Sequence, residues 1–178
     1  SMQNRRHESL SDNNIYDYYK KCLIFIADIG IETRFEKLFE TTFLPGLSIK
    51  DGILLIDEDH LQYPGDILHE AGHLAVVPIN ERVYLNALTI EKREHREAEE
   101  MMAIAWSYAA CIHLKIDPYF VFHEEGYKNG GNHIADSFNN KQYFGVPMLQ
   151  WKGMTVDEKD ADALGVKSYP YMLNWVLN

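Results

Sequence analysis

The chain has 178 residues, 46% hydrophobic and 12% aromatic, with a formal net charge of −10. Such a length and apolar content suffice for a sizeable core and leave little room for disorder. The acidity argues against a nucleic-acid partner, which needs a basic face, and Lys and Arg occur only in small groups such as Arg5-Arg6, Lys20-Lys21 and Lys92-Arg93.

Residues 1–13 are polar and read as a flexible tail, with a single domain over 14–178. Ser1-Met2 looks like a tag remnant, and no signal peptide is expected. The most apolar run, 22–31, is too short for a bilayer and contains Asp28. A cytoplasmic protein without a membrane partner is therefore expected. Asn13 or Asn14 can cap a helix over 15–29, in which Ile15, Tyr19, Cys22, Leu23, Ile26 and Ile29 recur at helical spacing. A second helix is predicted over 32–43, with Phe35, Leu38, Phe39 and Thr42 along one stripe, ended by Pro45-Gly46. Asp51-Gly52 between the β-prone runs 47–50 and 53–57 is a strong hairpin signal. A helix over 64–77 follows. Val83-Tyr84-Leu85 is expected to be extended, and a long helix runs over 90–114, ending before Asp117-Pro118.

Further on, 119–123 is expected as a short helix, and 126–140 as a Gly- and Asn-rich loop. A short element is expected over 145–151 and a last helix over 169–177. Tyr143, Phe144, Trp151, Tyr169, Tyr171 and Trp175 are expected to complete the core. Cys22 and Cys111 read as buried free thiols. The predicted fold class is α+β: mostly helical, with a small antiparallel hairpin or sheet next to the helix of 64–77.

That helix carries His69-Glu70-Ala71-Gly72-His73. Histidines four apart share a helix face and can meet one metal ion, while Glu70 lies where it reaches a bound water. The pattern arises by accident in only about 3% of chains of this composition. Its apolar flanks (Ile67, Leu68, Ala71, Leu74, Ala75, Val76) imply burial, and inward-facing His and Glu are costly in a core unless bonded. Zn²⁺ suits such ligands. Catalytic zinc commonly has three protein ligands and a water, so a third is needed.

The long helix offers candidates. With Met101 at the centre of its buried stripe, Glu94 lies about 20° from that centre and Glu97 about 40° on the other side. Glu100 lies about 100° away and Glu99 points almost opposite. Helical angle does not separate Glu94 from Glu97.

His69-Glu70-Ala71-Gly72-His73, the strand before it, and Glu97-Ala98 opening an Ala-rich helix together resemble the ImmA/IrrE-type metallopeptidases, small gluzincin-like proteins. The resemblance covers roughly 47–114. It implies a zinc site of His69, His73 and Glu97, and a protein substrate such as a transcriptional regulator. Two departures are Glu99 and Met101, where relatives often carry Asn and an aromatic residue.

The segment 123–133 remains. A zinc peptidase benefits from a donor to the developing oxyanion, and His123, Tyr127 and His133 lie among Gly126, Gly130 and Gly131 on this stretch; a polar surface loop is the competing reading. His60 is expected on the surface or behind a ligand. The function expected is a zinc-dependent endopeptidase with Glu70 as general base, Tyr127 or His123 as oxyanion donor, and a hairpin edge to receive substrate. The alternative is a non-catalytic, zinc-stabilised interaction or sensor module.

Overall fold

In a computed structural model describing residues 11–178, the chain is an α+β domain of helices around a three-stranded mixed sheet. The expected tail over 1–13 lies outside the described residues up to residue 10. Ser11 caps the first helix by accepting from the Asn14 N–H at 3.2 Å, so α1 spans Asp12–Asp28, earlier than the asparagines suggested. It buries Tyr19, Cys22, Phe25 and Ile26.

The region expected as a second helix is instead strand β1, Thr33–Phe35, followed by irregular chain. Its backbone is committed to the sheet: the Leu54 N–H donates to the Glu32 carbonyl, and the Glu36 N–H to that of Ile56. Phe35 and Phe39, which seemed to mark a helical stripe, are 55% and 92% exposed. The hairpin forms as read, β2 (Leu47–Lys50) pairing antiparallel with β3 (Ile53–Ile56). Asp51 and Gly52 both take positive φ, as a two-residue primed turn requires. Because β1 joins β3 in parallel, the order is β1-β3-β2 and the sheet is mixed.

Helix α2, Asp66–Ala75, carries His69 to His73 and packs against α1, β3 and, most extensively, α5. Two single-turn helices follow, α3 (Ile79–Arg82) and α4 (Ala87–Ile90), with a turn where 83–85 was expected to be extended. The long helix α5 begins only at Arg96 and runs to Leu114, closed by Lys115 in the left-handed conformation. A 3₁₀ turn, Pro118–Phe120, leads into a turn over 124–129. Then α6, Gly131–Asn139, occupies much of the expected loop, burying Ala135 and Phe138. Helices α7 (Val146–Trp151) and α8 (Glu158–Leu164) complete the set among the described residues.

The predicted last helix over 169–177 is irregular chain, joined to 155 by a bridge between Thr155 and Met172. Its main chain is used elsewhere: Leu177 donates to the Ala75 carbonyl, and the Trp175 carbonyl accepts from Trp106 Nε1 at 2.8 Å. Trp175 packs on Phe25 and Trp106, and Tyr169 on Tyr143, but Trp151 is 90% exposed and Tyr171 half exposed, so neither completes the core. Cys22 and Cys111 are buried and free, and burial pushes the Cys22 thiol up to about 12. Among the described residues no helix is long and apolar enough to cross a membrane.

Candidate metal centre

The two histidines of α2 converge as their i, i+4 spacing demands. His69 Nε2 and His73 Nε2 stand 3.2 Å apart, with the rings at 82° to each other. His69, Glu70 and His73 present ligand atoms within 4.8 Å of one another and form a group that could hold a metal ion.

Glu100 closes this group from α5. Its Oε2 lies 2.7 Å from His73 Nε2 and its Oε1 3.3 Å from His69 Nε2. The expected third residue, Glu97, is exposed, as is Glu94. The reason is the face of α5. Met101, taken as the centre of the buried stripe, is 37% exposed, whereas Ala103, Trp106, Ser107 and Ala110 are fully buried. Gly72 sets this register: a Cβ there would lie 3.0 Å from the Ala103 carbonyl oxygen and 3.1 Å from the Trp106 ring. The two helices therefore touch at Gly72 and Ala103, and Glu100, one turn before Ala103, meets the histidines. Glu99, expected to point outward, is buried and accepts from Arg93 Nε at 2.7 Å.

The electrostatics follow from this geometry. Burial alone would raise the Glu100 carboxyl, but hydrogen bonds from His69 and His73 hold it well below the ordinary carboxylate range. Burial would lower the His73 imidazole, but the Glu100 hydrogen bond together with the charges of Glu70, Glu100 and Glu99 outweighs it, leaving the value raised. Glu70 is raised, chiefly by burial, against the opposing pull of His73 and His69.

The 123–130 segment lies against the same centre. The Tyr127 ring sits edge-on to His69 with centroids 5.0 Å apart, and its buried hydroxyl has no hydrogen-bond partner. Burial first, then the carboxylates Glu100, Asp66 and Glu70, push this phenol well above its ordinary value. His123 is directed elsewhere: its Nε2 lies 2.7 Å from Oδ1 of Asp66, and its ring stacks on Tyr63 at 4.3 Å. Asp66 is 4% exposed and was overlooked as a site residue, having been read only as a helix-starting acid; its position three residues before His69 was the available signal. His133 is exposed on α6, His95 is exposed at the start of α5, and His60 is bonded to Asp57 at 2.8 Å, 73% exposed.

Among the described residues six buried side-chain polar atoms lack a hydrogen-bond partner, and four of them, Asp66 Oδ2, His69 Nδ1, His123 Nδ1 and Tyr127 Oη, belong to this one neighbourhood. Buried polar atoms are ordinarily satisfied, so the cluster is suited to a polar guest. Comparisons with protein-family models, with curated proteins and with solved structures gave no match.

Proposed function

We propose that this chain is a zinc-dependent endopeptidase of minimal gluzincin kind, acting on a protein substrate. The observation that carries the reading is the convergence of His69 Nε2, His73 Nε2 and the Glu100 carboxylate from two packed helices, with Glu70 beside them. Two nitrogens bound to one tetrahedral zinc stand about 3.3 Å apart, close to the observed 3.2 Å. The donor set of two imidazoles and one carboxylate fits the same ion. His69, His73 and Glu100 would hold it. Bound zinc supplies a Lewis acid that polarises the scissile carbonyl and acidifies water.

The protein's own groups do the rest. Glu70 takes a proton from the attacking water and returns it to the leaving amine. Burial works against the ionised form that a base needs, and the charge of an ion held by His69 and His73 would favour it. The Tyr127 hydroxyl, buried and free of other partners, donates to the oxygen on which charge develops. The sheet order leaves β2 at an edge, where an extended substrate segment can add as a strand. The resemblance to ImmA/IrrE-type metallopeptidases supports a protein substrate, such as a transcriptional regulator, with Glu100 in the place expected for Glu97.

A second reading, a zinc-stabilised module without turnover, is favoured by one feature. The Tyr127 ring packs edge-on against His69, with centroids 5.0 Å apart, and narrows access to the centre. Glu70→Gln separates the two. An endopeptidase loses cleavage of a fluorogenic peptide library while keeping zinc, whereas a binding module has no cleavage to lose.

A further inference from the structure

Three features fasten the chain at 120–123 to residues 63–66 at the start of α2. His123 Nε2 lies 2.7 Å from the buried Asp66 carboxylate. The His123 ring stacks on Tyr63 with only 15° between planes. Gly65, the residue before Asp66, lets the chain at Phe120 pass so close that a Cβ would lie 2.0 Å from the Phe120 carbonyl oxygen. Beyond this attachment the backbone is strained. Tyr127, Lys128 and Asn129 take φ of 58°, 58° and 66° in succession, a left-handed turn that ordinary side chains rarely adopt. This turn carries Tyr127, whose ring lies against His69. Such strain persists only where surrounding contacts hold it.

We propose that Asp66 and His123 are positioning residues: together they clasp the 123–130 turn to α2 and so hold the Tyr127 hydroxyl over the His69–His73–Glu100 centre. The role assigned to Tyr127 rests on the peptidase reading, but the clasp does not. With the clasp broken, the turn relaxes toward ordinary backbone angles, Tyr127 leaves His69, and the centre opens to solvent.

The test uses the zinc-loaded full chain with Asp66→Ala, Asp66→Asn and Tyr127→Phe. Hydrogen exchange across 124–131 should quicken at least 10-fold in Asp66→Ala, and zinc release to a chromogenic chelator should quicken with it. Asp66→Asn, which keeps an acceptor for His123, should restore most of the protection. Where cleavage is measured, Asp66→Ala should lower kcat with KM little changed. In the Tyr127→Phe background it should cost almost nothing further, because both changes remove the same interaction. Unchanged exchange in a folded Asp66→Ala protein overturns the clasp. Losses that multiply in the double variant overturn its action through Tyr127. If the wild-type protein cleaves no peptide, the peptidase reading fails, and exchange and zinc release still decide the clasp.

Discussion

Replacing Glu100 by Ala tests the composition of the proposed metal centre most directly. Glu100 contributes two contacts, 2.7 Å to His73 and 3.3 Å to His69, whereas Glu97 lies exposed on another face of α5. Changes behind a ligand commonly cost 10–100-fold in metal affinity, so loss of the carboxylate itself should cost about 100-fold or more. At fixed excess zinc, that removes about 2.7 kcal/mol of the stabilisation that the ion confers by binding only the folded chain. For a chain of this size each kcal/mol is worth about 2–4 °C, so the zinc-dependent rise in Tm should shrink by roughly 5–11 °C. Thermal melts with and without added zinc, together with chelator competition, give both quantities. Glu97→Ala should leave both within error, as an exposed surface change does. A Glu97→Ala protein that loses zinc, or a Glu100→Ala protein that keeps full affinity, would refute the assignment of Glu100.

Glu70→Gln should fold, bind zinc with unchanged affinity and lose about 10²-fold or more in peptide cleavage; lost zinc would mark Glu70 as a ligand. Arg82 is buried and donates to the carbonyls of Leu74, Val77 and Leu177 at 2.6–3.0 Å, tying the end of α2 to the last residues of the chain. Arg82→Met should cost about 2–4 kcal/mol in denaturant unfolding, because three carbonyls lose their donor; a cost under about 0.5 kcal/mol would contradict this. Gly72→Ala should gain about 1 kcal/mol of helix propensity but lose about 1–3 kcal/mol from the clash with Ala103, giving net destabilisation and weaker zinc binding. The Asp57 carboxyl is held below its ordinary value mainly by the Leu38 N–H and further by His60. Its folded value being depressed, its contribution to stability is present above about pH 4 and is lost as pH falls through the folded value. Asp57→Asn should therefore flatten the acid limb of a stability–pH curve, and an unaltered limb would exclude this role.

Local patterns were legible where the chain's own chemistry decides the outcome. The hairpin follows from Asp51-Gly52, whose positive φ angles suit a primed turn, and α1 follows from its apolar period. The convergence of His69 and His73 follows from helical geometry alone. The region 32–43 shows the limit of pattern, since its periodic Phe and Leu fitted a helix while hydrogen bonds to β3 made part of it a strand. The α6 helix was hidden by Gly130, Gly131 and neighbouring asparagines, which locally favour loops; burial of Ala135 and Phe138 overrides that preference.

What the amino-acid sequence determined by itself was the α2 half of the centre, because residues four apart on one helix must share a face whatever surrounds them. The other half was decided by tertiary packing. The rotation of α5 about its axis depends on where it touches α2, and that contact, Gly72 on Ala103, lies between residues 31 apart in the chain. A trace of it was present in the small residues Ala103, Ser107 and Ala110, which continue the face of Glu100, but Met101 and Ile112 offered an apolar stripe just as regular. A single helix cannot say which of two apolar faces its partner will cover. Only the close approach of the second backbone chose Glu100 over Glu97, and only the fold of 118–130 across the start of α2 brought Asp66, His123 and Tyr127 to the same place.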